Sequence, residues 1–328
     1  MHQIRWHPLL GEWVIVASHR LGRTLLPPKE HCPFCPTKDP KKPTEVPEPD
    51  FEVVVFENRF PSLSERAKGP SVDKGVFKAR KGLGICEVVL YTPQHEGALY
   101  DLPEEQVYKL VKVWTDRYAE LGAKPFVKYV FIFENRGEAV GVTLHHPHGQ
   151  IYAYPFIPPL IRREIQSMRR YWRRRGRCLL CEISEQEAQD GRRMVFENES
   201  FRAYVPFFAR WTYEVHIVPK RHVTSMAELT EDEQFDLALA LREMVWRYDN
   251  LFGFPLPYMM VMHQAPTDGR AHPYYHYHIE FYTPHRARDK LKFLAGSESG
   301  AGVFINDTAP EEKAQELREA GRKEGVGE

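Results

Sequence analysis

The sequence carries no surplus of charge, since 45 lysines and arginines offset 45 aspartates and glutamates over 328 residues. That balance removes the general pull toward nucleic acid or an acidic membrane, so any anion-binding site must be local. Long apolar runs are also missing. None approaches the roughly 18 residues a membrane span needs, and Met1 to Pro8 lacks a signal-like apolar stretch. The expectation is a soluble cytoplasmic protein with no nucleic-acid or membrane partner. Cysteine is scarce, and four of the five form two C-x-x-C pairs, Cys32/Cys35 and Cys178/Cys181. In an intracellular chain such pairs read as metal ligands before disulfides, although a disulfide stays open for Cys178/Cys181. Cys86 lies in an apolar run and reads as core.

A hydrophobic content of 42% supports a sizeable core, and the length suits one large unit or two lobes. The order of motifs favours two. Each C-x-x-C precedes a β-rich stretch, a histidine at a strand end, an amphipathic helix and a strand with His-x-His. In the first half the marks are Phe51–Phe56, Val88–His95 and His146-Pro147-His148; in the second they are Phe201–Val205, Val215–His222 and His276-Tyr277-His278. His95 lies 51 residues before His146 and His222 lies 54 before His276, nearly the same interval. Acidic, capping-type stretches at Leu102–Glu105 and Leu229–Glu233 predict helices over Val107–Leu121 and Phe235–Leu251. β-branched and aromatic runs predict strands at Trp13–Ala17, Phe126–Phe133, Ile151–Tyr154 and Tyr258–Met262. Pro36–Pro49 reads as an extended exposed loop, and Glu311–Glu328 as a charged helix with a frayed tail. The expected fold is α+β, from an internal duplication: two tandem lobes, 1–176 and 177–328, each an antiparallel sheet with packed helices.

Cys32 and Cys35 with His95 and His146 offer two thiolates and two imidazoles, the set zinc accepts tetrahedrally in a closed structural site. By the duplication Cys178, Cys181, His222 and His276 would form a second. A rival for that second site is the harder set Glu164, His263, His276 and His278, suited to zinc or iron, with His276 claimed by both.

Alternate side chains of a strand share a face at about 3.3 Å per residue, so His146, His148 and Gln150 would align as ligand, nucleophile and amide donor. A neutral imidazole can attack phosphorus, and its phosphoramidate is a good leaving group for the next acceptor. Pro147 and Gly149 suit a place where phosphate approaches backbone closely. Without catalysis, the same residues would be a histidine-rich turn beside a metal.

Glu134-Asn135-Arg136-Gly137 followed by His146-Pro147-His148-Gly149-Gln150 resembles the galactose-1-phosphate uridylyltransferase family of the histidine-triad superfamily. Further segments extend the resemblance along nearly the whole chain, among them His19–Arg23, Val55–Arg59, Tyr91–His95, Val218–His222, Arg247–Phe252, His263–Pro266 and Lys292–Gly296. The resemblance implies tandem histidine-triad-like lobes and a double displacement in which UDP-glucose gives UMP to His148, and galactose 1-phosphate then collects it. It implies that Gln150 and Thr143 contact the transferring phosphoryl group, that Phe56, Asn58, Arg59 and Asn135 hold the uridine and its phosphates, and that Lys292 and Phe293 belong to the sugar-phosphate region. Arg20 and Arg23 match arginines supplied across a dimer interface, implying a homodimer with shared active sites. Arginine suits this task because its fork matches phosphate.

Two departures leave hexose and nucleotide preference open. Thr143-Leu144-His145 stands where the family has Ser-Asn-Pro, and Gly296–Gly302 is unusually glycine-rich. The alternatives are a phosphorylase acting on ADP-glucose or a dinucleoside polyphosphate, and a non-enzymatic zinc scaffold. A histidine-triad hydrolase is disfavoured because Gln150 replaces the third histidine. The arginines between Arg162 and Arg177 read as a solvated helix face.

Overall fold

A computed structural model describes residues 2–22, 27–69 and 71–322. The first half contributes strands β1 (Gln3–His7), β2 (Glu12–Val16), β3 (Val54–Glu57), β4 (Val72–Lys74), β5 (Phe77–Lys81) and β6 (Ile85–Leu90), helix α1 (Glu104–Gly122), then β7 (Tyr129–Arg136) and β8 (His148–Tyr154). Helices α2 (Pro159–Arg175) and α3 (Leu179–Asp190) lead into the second half. There β9 (Met194–Glu197), β10 (Phe201–Tyr204) and β11 (Val215–Pro219) precede α4 (Glu231–Phe252), β12 (Tyr258–His263), β13 (His278–Tyr282) and α5 (Pro310–Ala320).

The architecture is α+β with antiparallel pairing, and the two halves join edge to edge rather than standing apart. One nine-stranded sheet runs β3-β6-β8-β7-β12-β13-β11-β10-β9. Outward from the β7/β12 seam, β8, β6 and β3 on one side match β13, β11 and β10 on the other, which is the geometry of a duplicated unit. The seam pairs Tyr258 with Arg136 and Met260 with Glu134. A smaller sheet, β2-β1-β5-β4, carries the N-terminal residues.

Strand alternation divides the large sheet into two faces. On one, Ile132, Ile151, Ala153, Ile217, Met260 and Ile279 meet the apolar stripes of α1 and α4 in a single core. The α1 stripe is Val107, Leu110, Val111, Trp114, Tyr118 and Leu121, the i, i+3, i+4 spacing of a helix with one buried side. The other face bears His148 and Gln150 in the first half, while α2 and α3 pack over Tyr204 and Val218 in the second.

The predicted capping holds for one helix and fails for the other. Thr230 and Glu233 form a reciprocal capping box on α4, with Thr230 Oγ1 accepting from the Glu233 amide at 3.2 Å. Helix α1 begins after Pro103 with no side-chain cap. The proline-rich loop is not simply extended: the Thr37 amide donates to the Val46 carbonyl at 2.9 Å and Thr44 Oγ1 to the Cys35 carbonyl at 2.7 Å, which buries Val46. Cys86 is buried, and Arg163, Arg169, Arg170, Arg173, Arg174, Arg175 and Arg177 are exposed along and just beyond α2, as a solvated face requires, whereas Arg162 is half-buried and donates to the Gly11 carbonyl at 3.2 Å. The expected frayed tail lies mostly outside the described residues.

Candidate active site

Strand β8 begins at His148, so His146 and Pro147 precede it and the expected alignment of three side chains on one strand is corrected. The chain bends at His146, and the His148 ring folds back on it. Its Nδ1 lies 2.7 Å from the His146 carbonyl oxygen. A carbonyl only accepts, so Nδ1 carries the proton and Nε2 keeps its lone pair. Burial favours the neutral ring and lowers the His148 pKa, against the opposing effect of that backbone hydrogen bond.

His148 and Gln150 line a cavity of about 320 Å³. Phe56, Asn58, Arg59 and Thr143 line it too, as the sequence suggests, and the Asn58 amide donates to Gln150 Oε1 at 3.5 Å. The structure adds Phe34, Val88 and Glu45. Phe34 sets its ring edge against His148 at a centroid distance of 5.0 Å, Val88 lies opposite Gln150 in the β6/β8 register, and Glu45 accepts from Arg59 Nη1 at 3.2 Å. Asn135 lines a second cavity of about 690 Å³ that shares His148 with the first. Volumes of this order suit small ligands.

Other expected contacts are not formed within the chain. Arg20 donates to the Phe60 carbonyl at 2.7 Å behind the cavity wall, and Arg23 lies outside the described residues. Lys292 pairs with Glu298 at 3.2 Å, and Phe293 is 77% exposed on a segment that lines neither cavity. Gly149 does not face the pocket. A Cβ there would lie 2.3 Å from the Tyr91 hydroxyl, so its smallness makes room for a phenol, not a phosphate.

The first metal constellation is brought together as expected. One donor atom from each of Cys32, Cys35, His95 and His146 lies within 4.8 Å of the others. Cys35 Sγ is 3.3 Å from His95 Nδ1 and 3.7 Å from His146 Nδ1. His146 turns its Nε2 to the Thr92 carbonyl at 2.8 Å, which presents the Nδ1 lone pair to the thiols, and burial lowers its pKa to about 4. A neutral imidazole oriented by a carbonyl is what a metal-binding histidine needs.

The second constellation repeats the first. Cys178, Cys181, His222 and His276 gather likewise, with Cys181 Sγ 3.5 Å from His222 Nδ1 and 3.3 Å from His276 Nδ1. His276 Nε2 faces the Pro219 carbonyl at 3.2 Å, His222 Nε2 the Pro273 carbonyl at 3.0 Å, and both cysteines are free thiols. The rival set is corrected. His276 belongs with the cysteines, and Glu164, His263 and His278 are completed by Glu280, so the two groups are neighbours and not alternatives. Neighbouring positions of β13 explain the split. His278 and Glu280 share the face opposite Ile279, while His276 lies before the strand, as His146 lies before β8.

This third cluster occupies the second-half counterpart of the His148 pocket. His278 Nδ1 is 2.9 Å from the His276 carbonyl, repeating the His148 geometry, but Glu280 stands where Gln150 does and pairs in register with His216 instead of a valine. Glu164 Oε1 is 3.0 Å from His263 Nδ1, and Glu280 Oε1 is 3.4 Å from both His278 Nε2 and His216 Nε2. Against the opposing effect of burial, Glu164 and Glu280 push His263 up to about 9. Glu280 and His216 escaped the sequence reading, although the i, i+2 spacing from His278 was a signal for the first.

Fold and site together define a duplicated α+β protein with one intact and one converted histidine pocket, each half carrying a Cys2His2 cluster. The chain belongs to the galactose-1-phosphate uridyl transferase family: its N-terminal domain model matches residues 1–158 and its C-terminal domain model residues 164–323. A galactose-1-phosphate uridylyltransferase of Thermotoga maritima is 45% identical over 323 residues, covering 97% of this chain and 98% of the relative. A solved uridylyltransferase structure superposes with a TM-score of 0.87 at 38% identity, covering 98% and 99% of the two chains. An Arabidopsis thaliana ADP-glucose phosphorylase shares the fold at a TM-score of 0.74 and 24% identity, covering 97% and 99%.

Proposed function

We infer that the chain transfers UMP from UDP-glucose to galactose 1-phosphate by double displacement on His148. The observation that carries this reading is the fixed tautomer, with Nδ1–H donating to the His146 carbonyl and Nε2 free at the wall of a cavity also lined by Gln150. In the first step Nε2 attacks the α-phosphorus in line, the P–N bond forms, and the P–O bond to the β-phosphate breaks to release glucose 1-phosphate. The charge on the uridylylated ring is met by the same carbonyl. In the second step a phosphate oxygen of galactose 1-phosphate attacks phosphorus and the P–N bond breaks, returning neutral His148. Such displacement asks mainly for positioning and for donors on the equatorial oxygens, roles we assign to Gln150 and Thr143.

Phe56, Asn58 and Arg59, joined by Phe34 and Val88, suit the nucleoside, and Asn135 the departing sugar phosphate. Arg20, Arg23, Lys292 and Phe293 would complete the neighbouring site in a homodimer. Their support is the exposure of Phe293, Leu294, Val303 and Ile305, an apolar group that a partner would cover. Both Cys2His2 clusters suit structural zinc, which would pin the loops ahead of β8 and β13. Glu164, His263, His278 and Glu280 suit zinc or iron, and that ion would neutralise buried carboxylates.

Incubation with radiolabelled UDP-glucose and, separately, ADP-glucose tests the reading. Base-stable, acid-labile label on His148 from UDP-glucose is expected. Label from ADP-glucose alone would overturn the uridylyl assignment in favour of a phosphorylase.

A further inference from the structure

Beneath the nucleophile lies a buried polar group that the reaction above does not use. Glu134, on β7 beside Asn135, points to the helix-covered face and is 5% exposed. Its Oε2 accepts from the Tyr91 hydroxyl at 3.0 Å and its Oε1 from the Tyr258 hydroxyl at 2.8 Å. Tyr258 belongs to β12, so one carboxylate is clamped by a phenol from each half across the β7/β12 seam. Three polar groups buried in a core are costly unless they satisfy one another, and this arrangement satisfies them.

The two phenols are not equivalent toward the site. The Tyr91 hydroxyl occupies the place where a side chain of residue 149 would begin, 2.3 Å from a Cβ built on Gly149, with the Phe133 carbonyl 3.3 Å from the same point. Gly149 is bonded to His148. The Tyr91 amide also donates to the Pro147 carbonyl at 3.3 Å, so Tyr91 contacts the residues on both sides of the nucleophile. Its ring is wedged edge-on against Trp114 at 5.8 Å, which prevents retreat into the core.

Resting on the His148 reading, we propose that Tyr91 is a positioning residue: held by Glu134 and, through it, by Tyr258 of the second half, its hydroxyl sets the height of the Pro147–Gly149 backbone and so aims the His148 ring at phosphorus. In-line attack tolerates little misplacement, so a slack backbone slows the chemical step while leaving nucleotide binding intact. The second half then serves the reaction although its own pocket has become a carboxylate–histidine cluster.

The test uses full-length protein and single-turnover uridylylation from radiolabelled UDP-glucose, with melting temperature and zinc content measured in parallel. Tyr91→Phe and Tyr258→Phe each remove one donor from the same carboxylate, so a purely structural role predicts equal losses. Positioning predicts that Tyr91→Phe slows uridylylation at least tenfold more than Tyr258→Phe, with the KM for UDP-glucose changed less than twofold in both. Gly149→Ala alone should be nearly inactive, and the double variant Tyr91→Phe with Gly149→Ala should be at least tenfold faster than Gly149→Ala, because loss of the hydroxyl removes the 2.3 Å clash and leaves the methyl 3.2 Å from the ring carbon. Equal rates for the two phenylalanine variants, or a double variant no faster than Gly149→Ala, would overturn the proposal. Failure of the unsubstituted protein to label His148 would instead overturn the transfer reading itself.

Discussion

His148 and His146 are linked twice, once by chain and once by the 2.7 Å hydrogen bond from the His148 ring to the His146 carbonyl. The same residue that offers its Nδ1 to Cys35 thus fixes the tautomer of the His148 ring with its backbone. The nitrogen turned to the thiols and the nitrogen that faces the cavity belong to separate rings. His148→Ala should therefore lower transfer by on the order of 10⁴ or more, the scale of losing a covalent nucleophile, while zinc per chain stays unchanged. Steady-state rates and metal analysis of the same preparation check both halves of the statement.

The two Cys2His2 clusters should differ in what their loss does. If both clusters hold zinc as proposed, Cys35→Ser and Cys181→Ser should each lose one zinc per chain and lower the melting temperature by roughly 5 °C or more. Cys35→Ser should also lose most transfer activity, because His146 is released from the turn that carries His148. Cys181→Ser lies in the other half and should keep a larger share. Equal activity loss in both would contradict this division.

Glu280 completes the third cluster, so Glu280→Gln should reduce bound hard cation while sparing both cysteine sites. Metal analysis after exposure to iron(II) and to zinc, compared with Glu164→Ala, reads the outcome. Unchanged stoichiometry in both variants would show that the carboxylates and histidines simply pair with one another.

Arg136, on β7 at the seam, and Asp249, on α4, link the two halves. Their two-pronged contact, 2.8 Å at each prong, is largely buried, and Asp249 also accepts from Tyr100 and from the Leu256 amide. Asp249→Ala leaves an uncompensated buried guanidinium and should cost about 3–5 kcal/mol. Urea denaturation followed by tryptophan fluorescence measures it.

Sequence alone carried the local patterns: the two C-x-x-C pairs, the two His-x-His segments, which of these is followed by Gly-Gln, the approximate places of α1 and α4, and the plan that occurs twice. These are patterns of short range, set by ligand geometry, capping and periodicity, and a linear reading can hold them. Tertiary structure decided what depends on register between distant strands. Val88 lies opposite Gln150, His216 lies opposite Glu280, and Tyr91 fills the space under Gly149 only because β6, β8, β7, β12, β13 and β11 pair as they do. The place of His276 beside the cysteines rather than beside Glu164 depends on the same tertiary arrangement. A histidine within reach of two donor sets in sequence can turn its ring toward only one of them, and the backbone before β13 chooses.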